Sequence, residues 1–228
     1  MNTKKYFFIT LILSVIVQVI TGIMEIITLF IKVDRPYKII KQLLVLEVSV
    51  QFIEGLFYLW LVYNFNQVTN VTPKRYFDWF ITTPTMLISL TIYLIYLDRR
   101  EREMDTSKLD LYNLLIENST NLFYILCLNW LMLLFGYLGE MKIISTLYGV
   151  VLGFIPFLIY YYIIYINYAV QSERGFKIFL YFVFFWSLYG FVALLPYYAK
   201  NTCYNILDLF AKNFFGIFLT YTILSKNY

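Results

Sequence analysis

Long apolar runs alternate with short polar breaks along this chain, at intervals that suit membrane-crossing helices. The runs cover approximately 6–31, 37–63, 75–97, 111–136, 141–170, 178–198 and 203–224. Each is long enough to cross a hydrocarbon core, which takes about 20 helical residues. The pattern predicts an all-α membrane protein, a seven-transmembrane helix bundle forming a single domain over 1–228. The first run follows a basic start but is too long for a signal-peptide core and lacks a small-residue cleavage site, so it reads as a span. Lys32-Val33-Asp34-Arg35-Pro36, the polar stretch 64–74, the mixed-charge run 98–103 and residues 171–177 read as loops, and Gly136-Tyr137-Leu138-Gly139-Glu140 as a tight turn. Pro156 predicts a kink that neighbouring helices can accommodate. Asn70-Val71-Thr72 reads equally as an N-glycosylation acceptor or as a chance match.

Composition agrees with the pattern. The 228 residues are 61% hydrophobic and only 14% charged, against about 25% charged in soluble domains. Seven spans with short loops account for the length, with no internal repeat and no separate soluble domain expected. A net charge of +4, spread over loops, gives no reason to expect nucleic-acid binding. Cys127 and Cys203 fall in different spans without CxxC spacing, so neither a disulfide framework nor a metal site is indicated. The chain has no histidine, which leaves any proton chemistry to carboxylates, lysine and water. Loop cations set the expected orientation. Eleven lysines and arginines (Lys32, Arg35, Lys38, Lys41, Arg99, Arg100, Arg102, Lys108, Arg174, Lys177, Lys226) would be cytoplasmic and five (Lys4, Lys5, Lys74, Lys142, Lys200) outside if the N-terminus is outside and the C-terminus cytoplasmic.

The informative residues are charges inside the apolar runs, each costing roughly 2.5–3.5 kcal/mol or more at mid-bilayer. Asp208 and Lys212 stand four apart in the seventh run and share a helix face. They read either as a structural ion pair or as a lysine held dry opposite a carboxylate, as a carbonyl cofactor bound through a Schiff base requires. Arg75, Asp78 and Thr82 form one stripe at the start of the third run, making Asp78 a second carboxylate available to Lys212. Glu47 and Glu54 are seven apart in the second run, and two buried carboxylates in one membrane helix point to an ion pathway, the alternative being that Glu47 is wet near the cytoplasmic end and Glu54 pairs with Arg75. Ser14 and Gln18 supply polar groups one turn apart in the first run, and Asn205 and Asn213 flank Lys212 in the seventh.

Arg75-Tyr76-x-Asp78-Trp79-x-x-Thr82-Thr83-Pro84, with Asp208-x-x-x-Lys212, resembles the microbial (type 1) rhodopsins across the whole chain. The resemblance implies that Lys212 binds all-trans retinal covalently as a protonated Schiff base. It makes Asp78 the primary counterion and proton acceptor, Asp208 the second counterion, and Arg75 the outward-side arginine that responds to Asp78. It draws the ring pocket from Trp79, Thr83, Met86, Trp186 and Tyr189, with Asn129, Met132, Gly136, Ser145 and Thr146. After Trp186-Ser187-Leu188-Tyr189 the chain departs from the family, with Gly190 where proline is usual and Ala193 where a tryptophan often sits.

Ser89 stands eleven residues after Asp78, where outward proton pumps of this family usually carry a carboxylate. Asp78, Thr82 and Ser89 therefore form a signature that argues against efficient proton pumping. The negative Asp78 argues equally against a chloride pump. Ser14, Glu47, Glu54, Asn205 and Asn213 together resemble the light-gated cation channels among the rhodopsins of large algal and protist DNA viruses. That resemblance implies a retinal photoreceptor, integral to a lipid bilayer, that conducts monovalent cations or protons and resides in a host-cell membrane if viral. A weak outward proton pump and a photosensor with an external transducer are the alternatives, and a homo-oligomer is left open. No catalytic domain is present, so no enzymatic activity is expected.

Overall fold

The computed structural model describes residues 3–225, and all of its regular structure in that range is helical. The helices are α1 (Thr3–Leu29), α2 (Lys38–Asn64), α3 (Thr72–Glu101), α4 (Leu111–Glu117), α5 (Ser119–Glu140), α6 (Thr146–Asn167), α7 (Glu173–Val192), α8 (Tyr197–Asp208) and α9 (Phe214–Ser225). The last two are joined without a break by a π turn at Leu209–Asn213. Among the described residues, seven helical segments are long and apolar enough to cross a membrane, with α8, the π turn and α9 counting as one. Lys226, counted above toward orientation, lies outside the described residues.

Several ends differ from those the apolar pattern predicts. The fourth run is interrupted at Asn118, so only α5 spans, while α4 is a short helix capped by Asp110, whose carboxylate accepts from Tyr112 N. The Gly136–Glu140 segment is helix rather than turn, and the chain reverses beyond it, with Lys142 at φ 61°. The glycines there serve packing: a Cβ on Gly149 would lie 2.8 Å from Phe135 O and 3.0 Å from Gly139 Cα, so α5 and α6 touch backbone to backbone. The sixth span begins at Glu173 rather than 178, because Ser172 caps it by accepting from Gly175 N. Thr72 of the Asn-Val-Thr tripeptide is buried, and Asn70 Oδ1 accepts from its backbone N–H.

The bundle is the reverse of a soluble one. Large apolar side chains such as Ile20, Ile27, Phe30, Phe52 and Phe184 face outward, as a lipid surround requires. Polar side chains face inward. On α1 the buried positions are Phe7, Leu11, Ser14, Gln18, Thr21, Glu25 and Thr28, a stripe advancing by alternate steps of three and four. A matching stripe on α2 includes Glu47, Gln51, Glu54 and Tyr58. Of the seven spans α3 is the most enclosed. Much of the apolar core lies on its other side, where Tyr160, Tyr161, Phe157, Phe182 and Trp186 pack edge to face or tilted between α6 and α7.

Candidate functional site: a buried lysine facing three carboxyls

Lys212 lies in the π turn and is 4% exposed. Its Nζ donates to Asp78 Oδ2 at 2.6 Å and stands 3.5 Å from Glu54 Oε1 and 3.8 Å from Asp208 Oδ1. Asp208 is held mainly by other groups. Its Oδ2 accepts from the Tyr58 hydroxyl at 2.6 Å and from Arg75 Nη1 at 3.3 Å, and its Oδ1 accepts from the Tyr189 hydroxyl at 2.7 Å. Arg75 is fully enclosed, and its planar fork is shared among partners: Nε donates to Asn201 Oδ1 at 3.0 Å, Nη1 to the Tyr58 hydroxyl at 3.2 Å, and Nη2 to Asn205 Oδ1. Arg75 thus binds Asp208 directly and makes no hydrogen bond to Asp78. The cluster brings three carboxyls against two cations. Both Glu54 oxygens and Asp78 Oδ1 have no hydrogen-bond partner.

Beside Lys212 a cavity runs through the bundle toward α6. Trp79, Thr83, Met86, Met132, Gly136, Trp186 and Tyr189 line it, with Lys212 itself in its wall. Asn129 stands behind the wall and donates to Thr83 Oγ1 at 2.8 Å. Ser145 and Thr146 do not line it. Ser145 caps α6 by accepting from Tyr148 N, and Thr146 accepts from Lys142 Nζ, so both are occupied at the α5–α6 reversal. Gly149, Gly153, Phe154 and Phe157 of α6 take their place, with Tyr76, Leu133 and Tyr204. Gly190 and Ala193 also line the cavity, and the Phe154 ring fills the space where a Gly190 side chain would stand. Apolar and aromatic walls that end at a lysine fit an elongated apolar carbonyl compound such as retinal, and Trp79 Nε1 is left unpartnered.

A polar seam crosses the same point lengthwise between α1, α2, α3 and α8–α9. At one end Asn201 Nδ2 donates to Thr72 Oγ1 at 3.0 Å. Next, Ser14 Oγ donates to Asn205 O at 3.1 Å, and Asn205 Nδ2 to Thr10 Oγ1 at 3.1 Å. The Lys212 cluster follows. Beyond it Asn213 Nδ2 donates to Thr21 Oγ1 at 2.8 Å and to Gln51 Oε1 at 3.1 Å, while Gln51 Nε2 donates to Thr21 Oγ1 and Gln18 O, both at 2.9 Å. Further still, Glu47 lies beside Ser89 and within electrostatic reach of Glu25. Thr82 is buried but takes no part, its hydroxyl donating to Asp78's own backbone carbonyl. Gln18 lines the seam, with both amide atoms unpartnered.

The sequence reasoning omitted Tyr58, Thr21, Gln51, Asn201 and Glu25. Thr21 and Glu25 were recoverable, because they continue the Ser14–Gln18 stripe at the same seven-residue period. Tyr58 was not, since 23 tyrosines in the chain give no reason to prefer one. Lys200, counted as an outside loop residue, is buried in α8 and pairs with Glu140 Oε2 of α5 at 2.8 Å. Among the described residues no group of three or more His, Cys, Asp or Glu is arranged to hold a metal.

Among the described residues, seven membrane-length helices enclosing a lysine, its carboxyl partners and an aromatic cavity form a rhodopsin-like fold. The chain belongs to the bacteriorhodopsin-like proteins, a family that matches residues 7–226. Proteins of this family normally bind retinal and act as photoreceptors or ion transporters rather than as enzymes. The fold is similar to that of the viral rhodopsin OLPVRII, with 24% identity, a TM-score of 0.81 and coverage of 97% of this chain and 99% of that one. It is also similar to the thermophilic rhodopsin from Rubrobacter xylanophilus (17% identity, 96% of each chain, TM-score 0.74). Xanthorhodopsin, described as a light-driven ion pump with dual chromophore, gives 18% identity over 99% of this chain and 94% of that one, with a TM-score of 0.73. No curated protein sequence matches significantly.

Proposed function

We propose that this protein is a light-gated cation channel with retinal bound covalently to Lys212, its N-terminus outside and its C-terminus cytoplasmic. The observation that carries this reading is the polar seam, which runs through the Lys212 cluster and is lined by carboxyls and amides from four helical segments. All-trans retinal held there as a protonated Schiff base would supply light absorption and a proton-bearing nitrogen that changes direction on isomerisation. The chain's own groups supply the rest. Asp78 Oδ2 is the nearest acceptor for a proton from the Lys212 nitrogen. Once Asp78 is neutral, Lys212 loses its closest anion and the balance among Glu54, Asp208 and Arg75 changes. Arg75 is the group that passes this change outward, because the same guanidinium binds Asp208, Asn201 and Asn205. Asn205 in turn is tied to Ser14 and Thr10 of α1, so a shift of Arg75 loosens the contact between α1 and α8. Carboxyls along the widened seam favour cations.

A second reading, a weak outward proton pump, is favoured by one observation: Glu47 of α2 lies beside Ser89, the position where pumps of this family usually carry their carboxylate. Light-induced current in voltage-clamped cells separates the two. A channel gives current whose reversal potential follows the cation gradient. A pump gives outward current that persists against the gradient, and that result would sink the channel reading. The cofactor assignment has its own check: Lys212→Ala should abolish visible absorption after retinal is added, and a surviving band would reject Lys212.

A further inference from the structure

Glu25 of α1 has no part in the reading above. It is 1% exposed and projects across the seam onto Gly216 of α9, where even a Cβ would collide with its carboxyl group. Gly216 is thus the vacancy that admits this side chain. Glu47 of α2, 2% exposed, lies close enough for the two charges to repel. Among the described residues no lysine or arginine forms an ion pair with either. Glu25 Oε2 and Glu47 Oε1 have no hydrogen-bond partner. Ser89, which is fully buried, places its hydroxyl beside Glu47. Two ionised carboxylates without a counter-charge are not stable in a dry bundle. The site therefore needs a positive particle, and its free carboxyl oxygens have room in their bonding to accept one.

We propose that Glu25 and Glu47 form a proton-holding carboxyl pair that closes the cytoplasmic end of the seam, and that a monovalent cation replaces the proton when the seam opens. In that exchange one carboxyl O–H bond breaks, the proton passes to water on the cytoplasmic side, and one cation enters. The net charge of the site is unchanged and no electron moves. The pair lies one helical turn past the lysine turn, about 6 Å along the axis between residues 212 and 216. It is distinct from the Asp78–Glu54–Asp208 cluster and separated from it by the Thr21, Gln51 and Asn213 layer.

The cation exchange rests on the channel reading, whereas the proton-holding pair does not. Infrared spectroscopy of the full chain in lipid tests the pair without light or retinal. The retinal-free protein should show a deuterium-sensitive protonated-carboxyl band that loses intensity in Glu25→Gln or Glu47→Gln, is retained in Glu25→Asp, and shifts in Gly216→Ala, whose methyl displaces the Glu25 carboxyl. An identical band in the parent, Glu25→Gln and Glu47→Gln overturns the pair, whatever the current measurements give. With retinal present, light-minus-dark spectra should show the same band bleaching, and Glu25→Gln should reduce the selectivity of the light current for sodium over bulky organic cations. An unchanged selectivity in a variant that retains its visible absorption overturns the exchange but leaves the channel reading standing. If the parent behaves as a pump, the channel reading and the exchange fail together, and the dark spectra still decide the pair.

Discussion

Arg75 illustrates how much a single side chain can hold inside a membrane bundle. Its guanidinium is enclosed and satisfied by Asp208, Tyr58, Asn201 and Asn205, so neutralising it leaves Asp208 buried beside lost donors. Breaking a buried pair from one side costs about 3–5 kcal/mol. Arg75→Gln should therefore lower the thermal stability of the retinal-free protein markedly, measured by loss of helical circular dichroism in lipid or detergent. A melting temperature equal to the parent's would mean that solvent already reaches the cluster. Asp78, Asp208 and Lys212 could be read directly, because charges in apolar runs are costly and their spacing aligns them on one face. Glu54 was read as part of an ion path, yet it also stands at the lysine. Its depth relative to Lys212 depends on how α2 and α9 slide against each other, which no local pattern encodes. The hydroxyls of Tyr58 and Tyr189, which hold Asp208, were hidden for a different reason: tyrosine is as much packing material as hydrogen-bond donor in this chain.

Among the helices, the contact between α5 and α6 depends most plainly on side-chain absence. Gly149→Ala would drive a methyl group against the Phe135 carbonyl and Gly139 Cα, backbone atoms that cannot step aside as a flexible side chain can. Overpacking of this kind typically costs 1–3 kcal/mol, and the variant should melt earlier than the parent. Val150→Ala, on the adjacent position, serves as the control for mere loss of helix packing. The apolar runs predicted the existence of the spans and missed their ends. Gly136 and Gly139 look like turn residues because glycine marks turns in water, whereas in a bilayer the same residue also marks close helix contact. The start of α7 was announced by Ser172 and its acceptance from Gly175, a capping signal placed ahead of the apolar stretch.

For the whole molecule, hydropathy decided the architecture and loop charge decided the proposed orientation. The buried Lys200 weakens the count for the outside by one and so strengthens the asymmetry toward the cytoplasmic loops. The prediction is direct. In a Cys127→Ser, Cys203→Ser background, Asn70→Cys should react with a membrane-impermeant thiol reagent on intact cells, and Asp105→Cys only after permeabilisation. The opposite pattern would invert the protein and with it the meaning of both ends of the seam. The seam itself was only half legible. Five of its members were named from the sequence with Gln18 beside them, but their continuity depends on α1 and α2 presenting matched stripes, which emerges only once the helices are set side by side.

The π turn at Leu209–Asn213 gives this architecture a sensitivity that has nothing to do with which side chains it carries. Such a turn holds about one more residue than an α-helical turn, and each residue advances the helix by about 100°. Were the same residues wound as plain α-helix, everything after them would be turned by about 100° and face a different neighbour. Asn213 would leave Thr21 and Gln51, and Gly216 would leave Glu25, although every one of these residues would still be present. The winding of Leu209–Asn213 is therefore as much a part of the site as the identity of its residues, and a relative with one residue fewer there should keep the seam only if its helix runs on as plain α.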